Sequence, residues 1–365
     1  METLRVERKN SGLAFSYDIL WKTDFSALAD AVQGLENSHP GKICIVTDSN
    51  VGPLYLEQVK EALAPLGAEL YSFVIPAGEE NKNLTVIYDL YTCLIENKFQ
   101  RNDMLAALGG GVTGDMTGFT AATYLRGIDF IQIPTSLLAQ VDSSVGGKTG
   151  VDFAQYKNMV GAFYQPRLVY MNMSVLKTLP DDQFSSGMGE VVKTAEIRDA
   201  ELLTFMEEHT DSILARDPEI LSVLIHRCCR VKAAVVEEDP TEKGIRAILN
   251  FGHTLGHAIE KCKDFSLLHG TCVGIGIVGA AYASLKRGLL TEDEVERIKK
   301  LNKAFGLPCQ VEGITADQII EASKNDKKME SGQIKFILLD GIGNAIVDKT
   351  MTAEELYAAA AYLVK

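Results

Sequence analysis

The first half of the chain alternates short, almost entirely apolar runs with longer stretches in which apolar residues recur at helical spacing. Such runs are typical of parallel strands buried on both faces, and the stretches between them are typical of the helices that connect such strands. The predicted strands are residues 42–48, 69–75, 104–108, 128–133 and 168–171, and the predicted helices are residues 53–66, 84–97 and 113–125. This alternation predicts an α/β domain with a mostly parallel sheet.

Helical periodicity dominates from residue 181 onward. The predicted helices are residues 201–208, 219–237, 251–261, 272–287, 292–305 and 352–363, and residues 334–339 and 345–347 could form one small hairpin among them. The boundary is expected near Leu179 and Pro180, because a proline ends the element that precedes it. We therefore predict two domains, an α/β domain over residues 1–180 and a mainly α-helical domain over residues 181–365.

Composition and charge exclude several classes of protein. The 365 residues are 46% apolar and carry a formal net charge of −13, which argues against a nucleic-acid or membrane-surface binding protein. Seven scattered cysteines without a CxxC pair indicate free thiols in a reducing compartment. The longest apolar run, residues 272–283, is shorter than the roughly 20 residues that cross a bilayer. With no signal-peptide pattern at the N-terminus, a cytoplasmic protein is expected.

A glycine-rich turn follows the third predicted strand and opens a predicted helix. The sequence GGGVTGD at residues 109–115 fits the pattern GxGxxG through Gly109, Gly111 and Gly114. Glycines let the backbone approach a ligand, and a helix N-terminus offers N–H groups and partial positive charge to a phosphate. The turn is a candidate dinucleotide site, with Asp48 and residues 78–82 as candidates for holding a ribose or a second phosphate. A tight structural turn is the alternative.

A second glycine-containing segment, residues 140–149, ends in GKT like the phosphate-binding loop of nucleotide triphosphatases. That loop requires a glycine where this chain has Asp142, so the triphosphatase interpretation fails. What remains is a loop of small residues with one acid, Asp142, and one base, Lys148, followed by Lys157 and Asn158. A solvated loop lysine is the alternative.

Three of the six histidines, His253, His257 and His269, fall within residues 251–270. His253 and His257 are four residues apart, so a helix places both on one face, and His269 follows after a turn. Imidazole is the commonest ligand of zinc-like metals, and a catalytic site typically takes three protein ligands. A carboxylate would complete such a set, and Glu190 in the sequence GMGE is a candidate. The spacing leaves open which two histidines bind, and a polar cluster without metal is the alternative.

Dispersed basic residues form a further candidate set: Arg126, Lys148, Lys193, Lys232, Arg246, Lys327 and Lys328. Arg246 lies within the largely apolar sequence GIRAILN. A cation among apolar neighbours needs an anionic partner, which a ligand can supply. For each of them, a solvated surface position is the alternative.

Six motifs together resemble the 3-dehydroquinate synthase family, and the similarity runs from about residue 48 to residue 343. They are GGGVTGDMTGFTAATYLRG (109–127), IPTSLLAQVDSSVGGKTGVD (133–152), KNMVGAFYQP (157–166), SGMGEVVK (186–193), GIRAILNFGHTLGHAIE (244–260) and LLHG (267–270). The resemblance implies an N-terminal NAD-binding domain, a C-terminal metal-binding domain that holds zinc or cobalt, an active site between them and a homodimer. Gly189 and Ser136 stand where the family usually has alanine and threonine, departures that concern packing only.

The resemblance also implies a role for each matching position. The metal ligands would be Glu190, His253 and His269. The NAD contacts would be Asp48, Glu79, Lys82, Gly110, Gly111, Val112, Asp115, Thr135, Ser136 and Thr178, joined by Asp142, Lys148 and Lys157. The substrate's phosphate and carboxylate would fall to Asp142, Lys148, Asn158, Lys193, Lys232, Arg246, Asn250, His257 and either Lys327 or Lys328. Arg126 would come from the partner subunit.

The reaction implied by the resemblance belongs to the shikimate pathway and converts 3-deoxy-D-arabino-heptulosonate 7-phosphate to 3-dehydroquinate and phosphate. It proceeds by transient oxidation with NAD, phosphate elimination, re-reduction and intramolecular aldol closure. The alternatives are another sugar-phosphate cyclase with a 2-deoxy-scyllo-inosose or valiolone-type product, a metal-dependent polyol dehydrogenase, and a non-catalytic binding protein. The GGKTG stretch and the pair Arg246 and Asn250 favour the dehydroquinate product.

Overall fold

The computed structural model describes residues 3–8, 15–154, 156–324, 329–330 and 333–365. Its contacts divide the chain into two compact units, Met1–Leu179 and Pro180–Lys365. No helix in these described ranges is long and apolar enough to cross a membrane.

The first unit is built on a seven-stranded sheet with the spatial order β1-β2-β9-β6-β5-β3-β4. β1 pairs with β2 in the antiparallel direction, and all other neighbours in this sheet are parallel, so the predicted parallel sheet is confirmed. The strands are β1 (Thr3–Arg8), β2 (Phe15–Lys22), β3 (Lys42–Asp48), β4 (Glu69–Ile75), β5 (Met104–Gly109), β6 (Asp129–Pro134), β7 (Lys148–Phe153), β8 (Tyr156–Phe163) and β9 (Leu168–Asn172). β7 and β8 form a separate antiparallel hairpin.

Helices cover both faces of this sheet, which explains why its inner strands are apolar at nearly every position. They are α1 (Leu28–Gln33), α2 (Gly52–Leu63), α3 (Leu84–Glu96) and α4 (Gly111–Thr123). Ile43 and Ile45 of β3 lie in the core cluster with α1 and α2, whereas Cys44 and Val46 lie in the cluster with α3 and α4. Successive side chains of a strand point to opposite faces, so both sets are buried.

The strand order changes direction between β3 and β5. From β3 the chain continues to β4 on one side, and it then returns to place β5 on the other side of β3. In open α/β sheets, ligands bind beyond the carboxyl ends of the strands at such a switch point. Asp48 ends β3 and Gly109 ends β5, so the sequence motifs suspected of nucleotide binding lie at this place in the sheet.

The hairpins β1–β2 and β7–β8 were not predicted from the sequence. In β2, the residues Tyr17, Ile19 and Trp21 are buried and alternate with more exposed ones, a pattern typical of a strand that is buried on one face only. The segment predicted as a loop around Lys148 forms a π-helical turn, Ala139–Ser143, followed by β7.

The second unit is mainly helical, as predicted. Its helices are α5 (Asp181–Arg198), α6 (Ala200–Glu208), α7 (Thr210–Leu214), α8 (Pro218–Glu238), α9 (His253–Cys262), α10 (His269–Lys286), α11 (Glu292–Ala304), α12 (Ala316–Ser323) and α13 (Ala353–Leu363). Short strands β10 (Met329–Glu330) and β11 (Gln333–Ile334) pair with each other, as do β12 (Phe336–Leu339) and β13 (Ala345–Asp348). The last pair is the predicted hairpin.

Glycines let three helices of this unit approach closely. A side chain at Gly189 of α5 would overlap the backbone of Gly270 in α10, and one at Gly276 of α10 would overlap the backbone of Gly252 just before α9. Gly252 also has φ +76°, a conformation that favours glycine. Because these glycines neighbour Glu190, His269 and His253 in sequence, the close packing brings the candidate metal ligands together.

Candidate functional site

Three imidazoles form a cluster at the N-terminal ends of α9 and α10. His253 and His257 lie one turn apart on α9, and His269 is the first residue of α10. One ring nitrogen from each lies within 4.8 Å of those of the other two, a separation that a single metal ion can bridge. The structure therefore brings together all three histidines that the sequence singled out.

Glu190 of α5 joins this cluster. Its Oε1 is 3.5 Å from Nε2 of His253 and 3.5 Å from Nε2 of His269. Its Oε2 accepts a hydrogen bond from Nζ of Lys193. The side chain of Glu190 is 1% exposed, so this carboxylate has essentially no access to water. Glu190, His253 and His269 thus share one small volume, and His257 stands beside them as a fourth donor.

The hydrogen bonds behind the rings indicate which nitrogens face this volume. Nδ1 of His253 is 3.1 Å from the carbonyl oxygen of Phe251, and Nδ1 of His269 is 3.5 Å from Oε2 of Glu260. Both contacts favour the tautomer with the proton on Nδ1, which leaves the Nε2 lone pairs directed at Glu190. Oε1 of Glu190 is buried without a hydrogen-bond partner among the described residues. Two lone pairs and a buried carboxylate oxygen that face one another fit a cation.

Electrostatics in this cluster keep Glu190 ionised. Burial opposes its charge, but the Lys193 ammonium and the His269 imidazole outweigh burial and hold the pKa of Glu190 well below its usual range. Burial likewise favours neutral His269, yet the carboxylates of Glu190 and Glu260 raise the pKa of His269 to about 9. A proton therefore occupies His269 at neutral pH unless a metal ion displaces it.

Three predicted substrate residues of this unit are buried cations. Lys193 on α5, Lys232 on α8 and Arg246 in the 3₁₀ turn Ile245–Asn250 are 2%, 7% and 1% exposed. Buried lysine and arginine side chains are rare in proteins unless they meet an opposite charge. Asn250, at the end of the same turn, donates from Nδ2 to Oε1 of Glu242 at 2.6 Å. Lys327 and Lys328 lie outside the described residues.

In the first unit, the switch point of the sheet assembles a second group of predicted residues. Oδ1 of Asp48 accepts hydrogen bonds from the backbone N–H groups of the turn after β3, and Oδ2 accepts one from Thr113 Oγ1 at 3.2 Å. Gly110 and Gly111 open α4, and the first turn of that helix also contains Val112. The glycine turn therefore stands at a helix N-terminus next to the Asp48 carboxylate, an arrangement suited to a dinucleotide.

Asp115, one turn further along α4, belongs to a group of charged side chains. Nζ of the buried Lys82 donates to Oδ2 of Asp115 at 2.7 Å and to Oδ1 of Asn158 at 2.6 Å. Glu79 lies 4.0 Å from Lys82 and 3.6 Å from Lys157. Burial opposes the charge of Lys82, but Asp115 and Glu79 outweigh it and raise the pKa of the lysine. The pair Lys82 and Asp115 thus connects the predicted NAD contacts to Asn158, a predicted substrate contact.

The remaining predicted residues of the first unit lie on the turns after its strands. Thr135 and Ser136 follow β6, where the Thr135 N–H donates to the Gly109 carbonyl at 3.0 Å. Thr178 ends the turn after β9, and its Oγ1 is 2.5 Å from the Tyr55 hydroxyl. Asp142 lies in the π-helical turn, and Lys148 is exposed at the start of β7.

Arg126 and its neighbour Leu125 form an exposed corner of the first unit. Both have a positive backbone φ, 68° at Arg126 and 50° at Leu125, which residues other than glycine rarely adopt. The predicted contribution of Arg126 to a partner's site stays a prediction.

Sequence reasoning missed the acidic residues that hold the predicted ones in place. Glu260 lies seven residues after His253 on the same face of α9, so the helical spacing could have identified it. Asp239 accepts hydrogen bonds from backbone N–H groups of the loop before Arg246, and Glu242 accepts one from the side-chain amide of Asn250. The sequence carries no spacing signal for either contact.

Two family profiles together match most of the chain. The profile described as 3-dehydroquinate synthase N-terminal matches residues 72–186, and that described as 3-dehydroquinate synthase C-terminal matches residues 187–329. The chain belongs to the 3-dehydroquinate synthase family. A curated 3-dehydroquinate synthase from Acetivibrio thermocellus is 46% identical over 341 residues, which cover 93% of this chain and 94% of that protein. The 3-dehydroquinate synthase from Pelobacter propionicus is 46% identical over 323 residues, covering 88% and 90%.

Solved structures of two other cyclases resemble the whole fold. A 2-epi-5-epi-valiolone synthase from Streptomyces hygroscopicus subsp. jinggangensis 5008, with NAD+ and Zn2+ bound, matches with a TM-score of 0.88 and 29% identity, covering 96% of this chain and 98% of that chain. A 2-deoxy-scyllo-inosose synthase complexed with carbaglucose-6-phosphate, NAD+ and Co2+ matches with a TM-score of 0.88 and 25% identity, covering 99% of each. Glycerol dehydrogenase from Schizosaccharomyces pombe, at 12% identity, a TM-score of 0.68 and coverage of 97% and 90%, shares the fold alone.

Proposed function

We propose that this chain converts 3-deoxy-D-arabino-heptulosonate 7-phosphate to 3-dehydroquinate and phosphate, as a carbon–oxygen lyase that depends on NAD and one divalent metal ion. The family membership supports the reaction. The observation that carries the proposal is the cluster of Glu190, His253 and His269, in which a buried carboxylate oxygen faces two imidazole nitrogens at 3.5 Å. Solved cyclases with the same fold hold NAD+ together with Zn2+ or Co2+.

The first unit, residues 1–179, is proposed to bind NAD at the switch point of its sheet. The backbone N–H groups of Gly110, Gly111 and Val112 would bind the pyrophosphate, and Asp48 would accept hydrogen bonds from a ribose. The further contacts would be Glu79, Lys82, Asp115, Thr135, Ser136, Asp142, Lys148, Lys157 and Thr178. When bound, NAD would accept a hydride from C5 of the substrate, whose hydroxyl group would lose a proton, and would later return that hydride, so the overall reaction would involve no net redox change.

The second unit, residues 180–365, is proposed to bind zinc or cobalt through Glu190, His253 and His269. Such an ion supplies Lewis-acid polarisation that lowers the pKa of a hydroxyl group. Lys193 holds the Glu190 carboxylate through Oε2 and leaves Oε1 directed at the two imidazoles. His257, whose ring nitrogen lies within 4.8 Å of those of His253 and His269, is proposed to accept a proton from a substrate hydroxyl.

The buried cations of the second unit support a cyclase over a polyol dehydrogenase. The proposed substrate carries a carboxylate and a phosphate, and charge-assisted hydrogen bonds to such groups are roughly twice as strong as neutral ones. Lys232 and Arg246, together with the Lys193 ammonium that also pairs with Glu190, are proposed to supply fixed positive charge that a neutral polyol does not need. The proposed substrate contacts also include Asp142, Lys148, Asn158, Asn250, His257 and either Lys327 or Lys328.

A homodimer is proposed from the exposed face of the β7–β8 hairpin. Phe153, Tyr156, Met159 and Phe163 are 54%, 45%, 46% and 49% exposed, so four large apolar side chains of one hairpin face solvent in the single chain. We propose that these exposed apolar side chains form the subunit interface, and that Arg126 reaches the partner's site. Light scattering should give twice the chain mass for the wild type and the chain mass for Phe163→Glu. We further propose a cytoplasmic location, in keeping with the seven free thiols.

The proposed function is tested by phosphate release from the heptulosonate phosphate in the presence of NAD. Activity should disappear after treatment with a chelator and return when zinc or cobalt is added. A purified enzyme that releases phosphate at the same rate without metal would contradict the proposal, as would accumulation of NADH with glycerol-like substrates.

Two kinds of variant separate the metal site from the phosphate contacts. His269→Ala should lose stoichiometric metal, because one of three ligands is removed. Arg246→Ala and Lys148→Ala should weaken substrate binding and turnover while the metal content stays at that of the wild type. Full metal content in His269→Ala, or metal loss in the other two variants, would refute the assignments.

A further inference from the structure

The loop between α8 and the 3₁₀ turn that carries Arg246 is closed by a single carboxylate. Asp239, directly after α8, accepts a hydrogen bond on Oδ1 from the Lys243 N–H at 2.9 Å. Its Oδ2 accepts two more, from the Gly244 N–H at 2.7 Å and from the Arg246 N–H at 3.1 Å. Burial opposes the charge of Asp239, but these three N–H groups outweigh it and lower the pKa of the carboxyl.

The side chain of Arg246 returns to the start of the same loop. Its Nη1 donates to the carbonyl oxygen of Pro240 at 2.7 Å, and the arginine is 1% exposed. The carboxylate of Asp239 therefore holds the backbone of Arg246, while the guanidinium of Arg246 holds the backbone next to Asp239. This reciprocal pair of contacts fixes both the position of the Arg246 backbone and the direction of its side chain.

We propose that Asp239 is a positioning residue that acts through Arg246 and thereby sets the affinity for the anionic groups of the substrate. The proposal rests on the proposed function, in which Arg246 contacts the phosphate or carboxylate of the substrate. Asp239 itself uses its oxygens on backbone N–H groups of the protein, and a carboxylate would repel an anionic ligand. Its effect must therefore pass through the placement of the guanidinium.

The loss of these bonds should weaken anion binding more than it weakens the fold. A buried arginine whose loop has opened must be ordered again when an anion binds, and that ordering lowers the affinity. We expect Asp239→Ala to weaken the binding of inorganic phosphate by about tenfold. The KM for the heptulosonate phosphate should rise by a similar factor, whereas the KM for NAD and the metal content should stay at wild-type values.

The matched control is Asp217→Ala at the other end of α8. Asp217 also accepts backbone hydrogen bonds, from Glu219 N at 2.9 Å and Ile220 N at 3.1 Å, but it caps the start of the helix. This variant should lower the melting temperature and leave phosphate binding unchanged. A role of Asp239 in stability alone would make the two variants behave alike.

A double-mutant cycle decides whether Asp239 acts through Arg246. The dissociation constant of inorganic phosphate is measured by calorimetry for the metal-loaded wild type, Asp239→Ala, Arg246→Ala and the double variant. The proposal predicts that Asp239→Ala has no further effect once Arg246 is alanine, because residues that act through one contact are not additive. Additive effects, or wild-type phosphate affinity in Asp239→Ala, would overturn it.

A second variant of Asp239 and a separate turnover measurement complete the test. If Asp239→Ala does not fold, Asp239→Asn, which keeps one acceptor oxygen, should weaken phosphate binding by a smaller factor, and wild-type affinity in that variant would overturn the proposal. Turnover of the heptulosonate phosphate by the wild type is measured separately. A wild type that binds phosphate but does not turn over this substrate would contradict the proposed function and leave the Asp239 cycle interpretable.

Discussion

Replacing Glu260 by glutamine is expected to weaken the binding of a divalent metal ion by the second unit. Glu260 is 3% exposed, and its Oε2 lies 3.5 Å from Nδ1 of His269, while Nε2 of the same ring faces Glu190. A carboxylate behind an imidazole favours the tautomer with a free Nε2 and makes the ring a better metal ligand. Glutamine keeps the size of the side chain and removes its charge.

The size of the change in metal affinity depends on two opposing effects. Loss of a carboxylate partner behind a metal-binding histidine typically costs about 10-fold to 100-fold in metal affinity, or roughly 1.4–2.7 kcal/mol. However, Glu190 and Glu260 also raise the pKa of His269 to about 9, so a proton competes with the metal below that pH. This competition lowers the apparent affinity by up to about tenfold per pH unit. Because glutamine lowers the pKa of His269, the variant suffers less from it at neutral pH.

The assay is a zinc titration of metal-free protein against a chromophoric chelator at two pH values. The ratio of the dissociation constants of Glu260→Gln and wild type should be largest near pH 9.5, where the proton no longer competes, and smaller near pH 7, where loss of the Glu260 charge relieves part of the proton competition. Glu208→Gln, which changes an exposed carboxylate of the same unit, is the control and should bind zinc like the wild type. A ratio near one at the higher pH, or a ratio that does not depend on pH, would refute the reasoning.

Three further predictions concern other parts of the chain. Burial raises the pKa of Glu196, whose two carboxyl oxygens have no hydrogen-bond partner among the described residues, so the folded protein keeps this group protonated while the unfolded chain ionises. The free energy of unfolding should therefore fall as pH rises above about 4.3, by up to about 1.4 kcal/mol per pH unit, until the pH reaches the raised pKa. Denaturant unfolding of Glu196→Leu should lack this pH dependence, and the control Glu208→Gln should keep it. Gly189→Ala should cost about 1–3 kcal/mol and weaken zinc binding, because a Cβ there overlaps Gly270; unchanged stability and affinity would contradict the close packing. Lys82→Met should raise the dissociation constant of NAD, measured by fluorescence titration, and leave the zinc content intact; unchanged NAD affinity would exclude Lys82 from that site.

The parts of the fold that could be predicted are those with a continuous local signal. β3 and β5 are apolar at nearly every position because helices cover both faces, so they stand out in the sequence. The hairpins β1–β2 and β7–β8 are half-exposed and carry polar residues, so their pattern is weaker. α5 was not predicted because residues 185–189, with two serines and two glycines, have a low intrinsic helix propensity. Tertiary packing against α10 explains why they are helical.

In the candidate site, too, only residues with a local sequence signal could be predicted. The four-residue spacing of His253 and His257 predicted a shared face, and the structure places His269 beside them. The spacing could not identify Glu190, because its proximity depends on the packing of α5 against α10. Glu190 was a candidate ligand because glycines flank it in the sequence, and the resemblance to the family assigned it that role; the structure places it 3.5 Å from two of the imidazoles. Asp239 was missed because its partners are backbone N–H groups, which every sequence supplies.

The most direct test of the account is the stoichiometry of the reaction with a limiting amount of NAD. Metal-loaded enzyme, stripped of nucleotide, is given an excess of the heptulosonate phosphate and NAD at a small fraction of the substrate concentration, and phosphate, 3-dehydroquinate and NADH are measured at completion. A recycled hydride carrier predicts many equivalents of phosphate and 3-dehydroquinate per NAD, in equal amounts, with no NADH at the end. Product formation that stops at one equivalent per NAD, with NADH accumulating to match, would contradict it.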